Sequence, residues 1–170
     1  MLKLVAMAAL FSIALSSCEK DDNNPNPDRS RYVPNYDFFL TNLQVVPATN
    51  STGSGRIEGT YDKKTKIYTY KITWDNLSSN VTAIHIHGNA DRGFVALPAP
   101  LGPYTNALVQ SPTGFAAAKS GSLTTSLYVD GVVVREQDLL NGKYYVDIHT
   151  VNFPVSATGQ GEIRGQIIFP

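Results

Sequence analysis

Apolar and polar side chains alternate at period two through much of the chain, the pattern of strands with one face in a core. The clearest stretch is Ala83-Ile84-His85-Ile86-His87-Gly88, where Ile84 and Ile86 face inward and His85 and His87 share the opposite face, about 7 Å apart at Cα. Tyr145-Val146-Asp147-Ile148-His149 repeats the pattern: Val146 and Ile148 oppose Asp147 and His149. Residues 66–74 set Tyr68, Tyr70, Ile72 and Trp74 on one side, a core face of aromatic and β-branched side chains. Further strands are expected at 38–46, ended by Pro47, at 55–61, joined to 66–74 by a turn at 62–65, at 94–97 and at 123–129. A turn at Asp130-Gly131 leads to a return strand at 132–134. In the last segment, 160–169, Ile163, Ile167 and Phe169 oppose Glu162, Arg164 and Gln166.

Only residues 135–141 read as helical, one turn closed by Gly142. The connection from 98 to 121 is long and nearly uncharged, suited to a lid or to covering a sheet edge. Eight or nine short strands at this spacing predict an all-β fold, an antiparallel Greek-key β-sandwich or barrel.

The first residues break the pattern. Residues 1–17 carry one lysine and an apolar run from Leu4 to Leu15, too short to span a bilayer and read as a signal peptide. Leu15-Ser16-Ser17-Cys18 resembles the bacterial lipobox, which makes Cys18 the expected lipid-attachment site and its acyl chains the membrane contact. Glu19-Lys20-Asp21-Asp22 resembles the surface-export signal of Bacteroidota lipoproteins, which implies an outer-membrane lipoprotein facing the medium, with a periplasm-facing anchor as the alternative. Residues 18–35 form a polar tether and 36–170 one folded domain.

Composition adds exclusions. Fourteen basic and fourteen acidic residues cancel, and no basic stripe is present to track nucleic acid. Cys18 is the only cysteine, so no disulfide is available.

The chain has three histidines, and the alternation places all of them on one sheet face. Three neutral imidazoles, His85, His87 and His149, would suit copper or zinc and leave a coordination position open, with Asp147 or Glu162 orienting a ligand N–H. The bland alternative is a set of hydrogen-bonded strand histidines, with Arg164 paired to Glu162 or Asp147. No Gly-x-Ser-x-Gly elbow offers a nucleophile, no catalytic residue is assigned, and nothing singles out Asp147 and Glu162 as a glycosidase pair. Tyr32, Tyr36 and Tyr104 would be the residues to stack on sugar if the domain were a glycan or protein adhesion module.

Five pieces in order, Leu43-Gln44-Val45-Val46-Pro47, the aromatic hairpin to Trp74, Ala83 to Gly88 with Gly93 and Val95, Leu139 to Thr150, and Gly161-Glu162-Ile163-Arg164-Gly165-Gln166, resemble the CHRD domain. Asn89 departs from the family's usual proline, and 153–160 lengthens one connection. The resemblance implies an immunoglobulin-like sandwich or barrel that binds an extracellular protein or glycan, with no established reaction. A fainter likeness runs to copper/zinc superoxide dismutase, whose copper site also uses a His-x-His strand and a later strand histidine. It implies a copper-dependent redox protein as the alternative, although nothing here supplies that enzyme's zinc loop or disulfide.

Overall fold

The computed structural model describes residues 31–34, 39–96, 108–155 and 161–170. The signal peptide, Cys18, most of the tether, Tyr36 and Tyr104 lie outside the described residues.

Among the described residues nine strands make one antiparallel sheet: β1 (Tyr32–Pro34), β2 (Phe39–Thr41), β3 (Ser54–Asp62), β4 (Ile67–Asp75), β5 (Val81–His87), β6 (Leu108–Gln110), β7 (Gly121–Tyr128), β8 (Tyr145–Thr150) and β9 (Ile163–Gln166). Their order is β6-β5-β8-β9-β2-β3-β4-β7, with β1 added against β3. The longest pairing is the β3–β4 hairpin, in register from Ser54 opposite Asp75 to Asp62 opposite Ile67.

The sheet curls until its two outer strands almost meet. The Gln110 side chain on β6 donates to the Ser126 carbonyl on β7 at 2.9 Å and accepts from the Tyr70 hydroxyl at 2.6 Å. Nearer the start of β7, Leu77 N–H donates to the Lys119 carbonyl and Trp74 Nε1 to that of Ala118. The result is a nearly closed barrel, the all-β architecture expected. Its interior is filled by the expected faces: Tyr68, Tyr70, Ile72, Trp74, Ile84, Ile86, Val146, Ile148 and Ile163 are all buried.

Three expected strands are shorter or missing, each because local hydrogen bonds satisfy the backbone before a neighbouring strand can. The strand foreseen at 38–46 is cut to β2 and followed by a 3₁₀ turn, Asn42–Gln44. There the Asn42 carbonyl takes the N–H groups of Val45 and Thr49, and the Gln44 amide reaches back to the Phe39 carbonyl. At 132–134 the Asp130 carboxylate accepts three successive backbone N–H groups, from Val132, Val133 and Val134, and the segment pairs with no strand among the described residues. Residues 94–96 are likewise no strand: Phe94 N–H closes a turn onto the Asp91 carbonyl, and its ring is 68 % exposed. Two other expectations hold. β6 covers the edge of β5, and α1 (Glu136–Leu140) is a single helical stretch ended by Gly142 at φ 68°.

β8 differs from an ordinary barrel strand, because all six of its residues are buried. Val146 and Ile148 account for the inner face, while Tyr145, Asp147 and His149 are covered on the outer one. Ala90 and Ala96, from the loop after β5, pack on Tyr145, and Ala96 N–H donates to the Tyr145 hydroxyl. The loop leaves β5 through Gly88, where a Cβ would land on the Tyr144 ring.

Candidate metal centre

Antiparallel register brings the histidines together. Along β5 and β8, His85 lies opposite Asp147, His87 opposite Tyr145, and Ala83 opposite His149. His149 is therefore diagonal to His85, and the two rings meet with centroids 4.8 Å apart. His85 and His87 meet edge to face at 5.3 Å. One nitrogen from each of His85, His87 and His149 can be chosen so that all lie within 4.8 Å of one another. Three nitrogens on one tetrahedral zinc would sit roughly 3.4 Å apart, so small side-chain rotations would close them on an ion.

His149 is 2 % exposed and His85 9 %, while His87 is half-buried and stacks on Tyr145 at 5.4 Å. Neither ring nitrogen of His149 has a well-formed hydrogen bond, although the backbone carbonyls of Phe153 and Pro154 lie close enough to act on the ring. Burial pushes the His85 imidazole down to about 4, and the neighbouring His149 adds to the effect. Burial also lowers His149, opposed by the backbone carbonyls of Phe153 and Pro154. Both rings are thus held neutral, the form that binds metal. Donor type, neutrality and a ring without a well-formed hydrogen bond all fit Cu or Zn.

The flanking residues behave differently from expectation. The Asp147 carboxylate is 3.7 Å from His149 Nε2, beyond hydrogen-bond length, and both its oxygens instead accept from Gly161 N–H at 2.9 and 3.0 Å. Burial raises this carboxyl to about 6, against the pull of the Gly161 N–H and the Arg164 charge. Glu162 orients no histidine. It lies just before β9 begins, where its carboxylate accepts from the Ser51 hydroxyl, from both the N–H and hydroxyl of Ser78, and from the Thr150 hydroxyl. Arg164 pairs with neither carboxylate as an ion pair. Its guanidinium lies 3.5 Å over the Tyr145 ring and donates to Gln166 Oε1, leaving Nε and Nη1 without partners.

Tyr145 and Gln166 are the residues that the site reading lacked. Tyr145 joins His87 to Arg164 as the middle of a stack, and the Gln166 amide holds the covering segments through the carbonyls of Ala90 and Gly142. Both share their strands' outward alternation with Asp147 and Arg164, and that is the signal by which they could have been found.

No curated protein and no solved structure matches this chain. The model of one family, the CHRD domain, matches residues 36–167. That span takes in every strand from β2 to β9 and all three clustered imidazoles, and the chain belongs to the CHRD domain family.

Proposed function

We propose that this CHRD domain is a binding or structural module of the cell envelope, anchored by lipid at Cys18, that holds copper or zinc through His85, His87 and His149. One observation carries the metal: three imidazoles from two strands converge within 4.8 Å. The lack of a well-formed hydrogen bond at the buried His149 ring supports it, because a ligand atom kept for a metal has no strong partner of its own. A bound ion would supply Lewis acidity, or redox chemistry if copper. The half-buried His87 leaves one side of the site near solvent. This asymmetry is the feature that favours the second reading, a copper-dependent redox protein, since an exchangeable ligand needs a way in.

Elemental analysis of protein purified without a histidine tag tests the proposal. About one Cu or Zn per chain is expected, lost in His85→Ala and His149→Ala. Absence of stoichiometric metal, with unchanged melting on adding either ion, would remove the metal. A dismutase assay on the copper-loaded wild type and on His87→Ala distinguishes a redox centre from a structural ion. Binding of a glycan or extracellular protein that survives all three substitutions would assign recognition to another surface. Mass spectrometry of Cys18 tests the anchor.

A further inference from the structure

The barrel end that carries Tyr128, Val132 and Val133 has no use in the proposed metal site. Val132 is 80 % exposed and Val133 47 %, and Tyr128 beside them is 63 % exposed, while the next residue, Val134, is buried. The tip is folded against the β3–β4 turn: Val129 N–H donates to the Lys66 carbonyl, and Lys66 Nζ pairs with Glu136 at 2.8 Å. Exposed Lys63 and Lys64 flank it.

Two observations say what would cover this end. The first is where the described chain begins. Arg31 is fastened to the same turn, by its ion pair with Asp62 and by Lys63 N–H donating to the Arg31 carbonyl. Twelve residues separate it from Cys18, a reach of at most about 45 Å. Acylation at Cys18 would therefore tether the barrel to the bilayer through this end. The second is the backbone of the tip. The amides of Val132, Val133 and Val134 are all bonded to the Asp130 carboxylate, so the tip can leave water without stranding an N–H.

We propose that the Tyr128, Val132 and Val133 tip docks into the interface of the membrane that carries the anchor, with Lys63 and Lys64 at the headgroups, so that the barrel stands on this end. The inference rests on the reading of Cys18 as lipidated. Valine side chains entering the acyl boundary and a tyrosine at headgroup level are the chemistry of such a contact.

The test uses the full acylated chain in vesicles of phosphatidylethanolamine and phosphatidylglycerol. Because acylation blocks Cys18, the only native cysteine, a spin label can be placed alone at Val133→Cys or, at the opposite end, at Asn80→Cys. The label at 133 is expected to be shielded at least fivefold from a water-soluble relaxant relative to the label at 80. Replacing Val132 by Ser and Tyr128 by Ser in the Val133→Cys protein is expected to abolish the shielding. Equal accessibility at both positions in an acylated chain, or shielding that survives the serine changes, overturns the docking alone. An unmodified Cys18 in the mass spectrum overturns the anchor and this inference with it.

Discussion

The Glu162 carboxylate is fully buried. Four donors from Ser51, Ser78 and Thr150 converge on it, and Thr49 donates to its backbone carbonyl, so one residue ties together the loop before β3, the loop before β5 and the end of β8. Glu162→Gln puts an amide donor against hydroxyl and N–H donors, and is expected to cost about 2 kcal/mol in denaturant unfolding, with no loss of metal stoichiometry. His85 and Asp147 set opposite pH trends in the metal-free protein. The folded His85 titrates at about 4 against an ordinary 6.5, so its contribution to stability is present above pH 6.5 and lost as pH falls toward 4. Asp147, raised from 3.8 to about 6, contributes stability below about pH 4 that is lost as pH rises through 6. Unfolding midpoints between pH 4.5 and 7.5 should therefore fall more steeply with acid in Asp147→Asn than in wild type, and less steeply in His85→Gln. At this scale the sequence was readable wherever period two decided the outcome, as for Ile84, Ile86 and the three histidines. The partners of Glu162 were not, because Ser51 and Ser78 belong to loops whose position depends on the whole barrel.

Among the elements, β6 is three residues long, yet its last residue spans the gap between the outer strands. Gln110→Ala removes both bridging hydrogen bonds. It should cost about 1–2 kcal/mol, and native-state hydrogen exchange should quicken first in β7, before β8 and β9 are affected. Strands with strong alternation, β3, β4, β5 and β8, were legible to within two residues. The segments 132–134 and 42–46 were misread because Asp130, Asn42 and Gln44 satisfy backbone groups locally, a competition that hydrophobic periodicity does not register.

For the molecule as a whole, an ion on His85, His87 and His149 would link β5 to β8 across the barrel wall. Binding only to the folded state, zinc at a hundred times its dissociation constant should stabilise by about 2.7 kcal/mol and raise Tm by roughly 5–10 °C. A thermal scan with and without zinc reads this directly, and His149→Ala should abolish the shift. The barrel class and the convergence of the histidines could be foreseen from alternation alone. The covered outer face could not, since burial of Tyr145 comes from Ala90 and Ala96, in a loop without regular pattern.

The strand pairing that assembles the three imidazoles also fixes when they can work. His85 and His87 sit together on an early strand, whereas His149 arrives only after β7 and α1 have been added. In an unfolded chain only His85 and His87 are neighbours in sequence, so an ion held by all three nitrogens would need the late strand docked, and its affinity would be coupled to completion of the barrel.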